Sequence, residues 1–139
     1  MLNAITHLDM ALRDRPASDI PERSVERLAE LVGVQLGSDE PGHPRGTART
    51  EGLGALFGFV TGCAIGAGYS IMRPRLRRDL NPVVTGVGVG AVAMTSTISS
   101  YSTLGVSDPR TWSPADWAAD ILPHLGYGLA TVATLEALR

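Results

Sequence analysis

The chain contains no lysine and only one cysteine, Cys63. Its basic character therefore rests on arginine, and no disulfide can form within the chain. The 12 basic residues stand against 14 acidic ones, a balance that gives no general attraction to nucleic acid. No CxxC, HExxH, GxSxG or GxxxxGK occurs, so the commonest metal, redox, hydrolase and phosphate-loop signatures are missing. The first fifteen residues lack a basic stretch followed by an apolar one, which argues against a cleaved signal peptide. Charge is absent from Gly52 to Met72, and again from Asn81 to Ser107.

Each uncharged run is long enough to cross a hydrocarbon core of about 30 Å as a helix. Between them lies the basic cluster RPRLRR, Arg73 to Arg78. The chain of 139 residues has room for one domain, but its composition divides in two. Residues 1–51 hold six of the arginines and most of the carboxylates, and read as an amphipathic helical and linker region outside the membrane. Residues 52–139 are mostly Gly, Ala, Val, Leu, Ser and Thr, and read as a transmembrane bundle with segments near 52–72, 83–105 and 117–138. The expected fold is all-α: a small transmembrane helical bundle with a short extramembrane amphipathic helix.

In the N-terminal region, Leu2, Ile5, Leu8 and Leu12 give residues 1–14 one apolar helical face. A second helix is expected over 19–32, with Asp19 as its cap, Pro21 in the first turn, Glu22 closing a capping box and Gly33 as its stop. Residues 34–50 are rich in Pro and Gly and read as a flexible connection.

Gly54, Gly58, Gly62 and Gly66 recur every four residues along the first apolar run. At 3.6 residues per turn they form a smooth strip on which another backbone can approach closely. A soluble helix would bear about 1 kcal/mol at each such glycine without that need. Gly86 and Gly90 repeat the spacing in the second run, ahead of a hydroxyl-rich stretch from Thr95 to Thr103. The third segment opens on Trp112-Ser113-Pro114-Ala115-Asp116-Trp117. Ser113 caps, Pro114 fills the first turn, Asp116 closes a capping box, and the two tryptophans form a staple suited to the membrane interface. Pro123 falls inside this helix and has no amide for the carbonyl of Ala119.

The arginine loop, Arg73, Arg75, Arg77 and Arg78, sets topology: the positive-inside rule puts it in the cytoplasm and the acidic 107–120 loop on the opposite side. Residues 15–50 would then also lie outside. Asp116, Asp120 and His124 are spaced at i, i+4 and i+8, with Tyr127 and Thr131 continuing the face. Such a set can pair structurally, relay a proton or solute together with Thr95, Ser99 and Tyr101, or ligate a divalent cation. A hydrolase would need a nucleophile beside His124, and nothing in the spacing singles one out. No catalytic residue, resident metal or cofactor is assigned.

Three stretches carry a resemblance: LNAITHLDMA at Leu2–Ala11 with Arg15–Ser18, the glycine-stepped helix from Gly52, and Leu104–Trp117 running on to Pro123–Gly128. Together they make the chain similar to a group of small, uncharacterised integral membrane proteins of actinobacteria. The resemblance implies four crossings, with a further apolar helix ahead of the LNA segment; this sequence, starting at Met1, is expected to lack most of it. No activity or site residue follows from the likeness. The expected function is a structural or interaction subunit of the cell envelope, multi-pass in the cell membrane and assembled through its glycine-faced helices. Its expected partners are the lipid bilayer and a second copy or another membrane protein. A small solute, ion or proton transporter and a membrane enzyme using His124 are the alternatives.

Overall fold

The computed structural model describes residues 19–34, 36, 45–76 and 80–138, with side chains undescribed at 45–48. The helix expected over 1–14, the greater part of the connection before residue 45, and Arg77 and Arg78 lie outside the described residues. Over the described residues the protein is an all-α, four-helix bundle: α1 (Ile20–Leu31), α2 (Arg45–Met72), α3 (Pro82–Thr103) and α4 (Pro114–Ala137). Short 3₁₀ turns at Arg73–Arg75 and Pro109–Thr111 lead out of α2 and into α4.

Local chemistry accounts for the helix ends. The Asn81 side chain accepts from the Val83 amide and Pro82 sits at the first position of α3, an N-cap followed by a residue that has no amide to satisfy. At α4 the capping box is complete, with Ser113 accepting from the Asp116 amide and Asp116 accepting from the Ser113 amide. Trp112 and Trp117 meet edge-on, 5.1 Å between ring centroids, and the Trp112 indole donates to Ser107. Gly33 ends α1 in the left-handed region, φ +73°, where a side chain would be strained.

Two local expectations fail. Asp19 makes no side-chain cap, because its backbone (φ −83°, ψ 0°) is near-helical rather than extended and turns the carboxylate away from the amides of the first turn. Residues 45–50 are not part of a flexible connection but the first turns of α2. Polarity alone does not break a helix.

The helices pack unequally. α3 and α4 form the tight pair. α1 lies across the start of α2, where Ser24 is fully buried and bonds back to the Ile20 carbonyl. α2 meets the α3/α4 pair chiefly near the arginine end, where Tyr69, Val89 and Val132 form the core with Ile65, Tyr127 and Leu135 around it. Among the described residues two helices, α2 and α3, are long and apolar enough to cross a membrane. In the most apolar stretch of α2 only 6% of residues are buried, and in α3 22%.

Candidate functional site

The α3/α4 seam is made by small residues. Gly86, Gly90, Ala93 and Thr97 lie at spacings of four, three and four, so they share one face of α3. Gly128 of α4 sits opposite. A Cβ placed on Gly128 would overlap the Gly86 carbonyl and the Gly90 amide, and one on Gly90 would fall 2.6 Å from the His124 carbonyl oxygen. Backbone therefore touches backbone, which only glycine on both sides permits. Gly86 is less confined, since its first obstacle is the end of the Leu129 side chain at 2.8 Å.

The seam brings His124, 5% exposed, against Thr97. His124 Nδ1 lies 2.7 Å from the Asp120 carbonyl, which can only accept, so Nδ1 carries the proton. Nε2 then faces the Thr97 hydroxyl at 3.3 Å, while that hydroxyl also lies 2.7 Å from the Ala93 carbonyl. The Asp120 carboxylate stands off at 3.6 Å, with its second oxygen buried and unbonded. Threonine, imidazole and carboxylate follow one another as in a hydrolase, but two features oppose that chemistry. The imidazole is oriented by a carbonyl rather than the carboxylate, and the backbone amides around Thr97 are spent within a helix.

Of the residues expected along a polar path, Asp120, His124 and Tyr127 belong to one face, with Tyr101 within electrostatic reach of Asp120. Thr95 and Ser99 do not join them. Both are exposed, and the Thr95 hydroxyl bonds to its own helix at the Ala91 carbonyl. Thr97 occupies the role, and the four-three-four stripe of small residues is the signal that would have found it. Glu22 was also missed. It reaches the same end of the bundle from α1, within electrostatic reach of Tyr101, with one buried carboxylate oxygen unbonded. A small chamber of about 70 Å³ lies inside this cluster, lined by Thr97, Ser100, Tyr101, His124 and Tyr127 on one side and by Phe57 to Ile65 of α2 on the other. Among the described residues no group of three His, Cys, Asp or Glu converges to hold a metal ion.

The glycine strip of α2 has three different surroundings. Gly54 lies under α1, with a Cβ there 3.2 Å from Pro21. A Cβ placed on Gly62 or Gly66 would meet Tyr127 at ordinary contact distance, 3.7 and 3.6 Å, and the Tyr127 hydroxyl donates to the Gly62 carbonyl at 2.6 Å. Gly58 faces open space. The result is a groove of about 510 Å³ between α2 and α4, floored by Gly58, Gly62 and Gly66 and walled by Phe59, Cys63, Ala67, Tyr127, Thr131 and Leu135. At its far end Arg73 donates to Glu136 of α4 through Nε (3.0 Å) and a terminal nitrogen (2.5 Å), tying the two helices together. Arg75 is exposed and bonds to the Ile71 carbonyl.

Trp112, Ser113, Asp116 and Trp117 gather at the opposite end of α4, in the cap already described. No protein-family model, curated protein or solved structure matches the chain.

Proposed function

We propose that the protein is an integral membrane protein of the cell envelope, acting as a structural or interaction subunit through its glycine-floored groove. The observation that carries this reading is the bareness of α2. The core helix of a soluble protein is mostly covered, yet the most apolar stretch of α2 is only 6% buried. Phe59 is 68% exposed and Ile71 67%, with Leu56, Val60, Val83, Val84 and Val92 bare as well. An apolar surface of that extent in water would drive aggregation, whereas in hydrocarbon it is already in its preferred solvent. The capped, tryptophan-flanked start of α4 and the arginines after α2 suit the two interfaces, with the arginines on the cytoplasmic side. Three segments then cross, and α1 lies on the non-cytoplasmic side against the start of α2. Carbonate extraction of membranes tests the reading: the chain stays in the pellet, and its release into the supernatant overturns the proposal.

A second reading, passage of a proton or small cation, is favoured by one arrangement. Asp120 and Glu22 each keep a buried, unbonded carboxylate oxygen at the end of the bundle that holds Tyr101 and His124. Ionisable groups placed within a membrane mark such paths often enough to warrant the measurement. Flux into reconstituted vesicles, lost in both Asp120→Asn and His124→Ala, supports this reading; vesicles that stay tight dismiss it.

A further inference from the structure

We infer that the groove between α2 and α4 holds one acyl chain of a phospholipid with a net negative headgroup. The inference rests on the membrane reading above and names the occupant of that same groove.

Size suits a lipid tail. The groove follows α2 from Gly58 to Ser70, a length of about 18 Å at 1.5 Å per residue. A single hydrocarbon chain fits the groove's 510 Å³. The length is also apt, since one leaflet of a core about 30 Å thick is about 15 Å deep.

Charge decides which lipid. The groove ends at Ser70 and Leu135, next to the turn that carries Arg73 and Arg75. Glu136 is the carboxylate that answers Arg73, while Arg75 is exposed and hydrogen-bonds to a neutral carbonyl. Among the described residues, two guanidiniums against one carboxylate leave positive charge where a lipid phosphate would lie once its tail is in the groove. Basic pockets between membrane helices on the cytoplasmic side hold anionic headgroups by this means. The floor completes the fit at Gly58, where neither a side chain nor a neighbour covers the helix backbone and the tail lies against it.

Vesicles of mixed phosphatidylglycerol and phosphatidylcholine, followed by detergent extraction and native mass spectrometry, count the lipids each chain retains. The full chain retains one phosphatidylglycerol. Gly58→Leu directs a side chain into open space within the groove and lowers that retention about tenfold. Ala67→Leu, an exposed groove position on the same helix, repeats the result if Gly58→Leu loses helix content by circular dichroism. Arg75→Gln lowers the preference for phosphatidylglycerol over phosphatidylcholine about fivefold, the worth of one arginine at a charged surface. Retention in Gly58→Leu and Ala67→Leu equal to that of the unmodified chain overturns the inference, as does a dimer of chains that Gly58→Leu dissociates while no lipid is retained. Failure to partition into the vesicles at all defeats the membrane reading; partition without retained phosphatidylglycerol defeats the lipid site alone.

Discussion

The α3/α4 seam and the α2 strip use the same element, glycines four residues apart, and reach opposite results. At the seam Gly86 and Gly90 lie backbone to backbone with Gly128, whereas on α2 the strip is covered at Gly54, grazed by Tyr127 at Gly62 and Gly66, and open at Gly58. The difference lies across the gap. Gly128 lets α4 close on α3, and Tyr127, one residue earlier and turned toward α2, holds α2 away by the width of a ring. A small-residue stripe states where a backbone can approach, and the residue opposite decides whether it does.

The strongest way to break this comparison is at Gly128. Gly128→Ala drives a methyl group into the Gly86 carbonyl and the Gly90 amide, neither of which can turn aside. Overpacking against rigid backbone is expected to destabilise by about 3 kcal/mol or more. Unfolding in bicelles measures it, and a loss below about 1 kcal/mol would mean that the seam is not tight.

The same substitution at two other glycines should act with opposite signs. Gly90→Ala meets the His124 carbonyl oxygen and is expected to cost about 2 kcal/mol. Gly58→Ala meets nothing, so the better helix propensity of alanine is expected to stabilise by roughly 0.5–1 kcal/mol. Equal effects at the two sites would erase the distinction between seam and groove.

Next comes the tether that holds α2 at its distance. Tyr127→Phe removes the hydrogen bond to the Gly62 carbonyl and nothing else, an expected loss of about 1 kcal/mol. Cys63 lines the groove beside that bond and is exposed, so its rate of thiol labelling reports the movement of α2. Faster labelling in Tyr127→Phe, with none in a Ser113→Ala control at the far end of α4, is the expected pattern.

How much of this was legible beforehand depends on the reach of each interaction. The start of α4 was readable because Ser113, Pro114, Asp116, Trp112 and Trp117 act on one another within a turn and a half. The end of α1 at Gly33 was readable for the same reason. The tether from Tyr127 to Gly62 and the ion pair from Arg73 to Glu136 join residues more than sixty positions apart, and no local pattern encodes them. Glu22 reads as a capping residue because Asp19 and Pro21 flank it, yet one of its carboxylate oxygens is buried without a partner. The polar face of α4 was visible in the spacing of Asp120 and His124. Its partner on α3 was hidden among eight hydroxyls between Thr95 and Thr103, until the position of the seam picked out one of them.

That choice among hydroxyls yields the smallest effect and the finest test. Thr97→Val keeps the shape of the side chain and leaves His124 Nε2 buried without its neighbour, an expected loss of about 0.5–1 kcal/mol. Thr95→Val removes a hydroxyl that only bonds back to its own helix on an exposed face, where the expected change stays within about 0.5 kcal/mol in either direction. The imidazole should register the difference independently of stability. Its nitrogen resonances shift in Thr97→Val and stay in place in Thr95→Val, because only Thr97 stands beside Nε2. If both variants move them equally, the α3 face toward α4 has been misassigned by a third of a turn or more, and the stripe Gly86, Gly90, Ala93 and Thr97 does not form the seam.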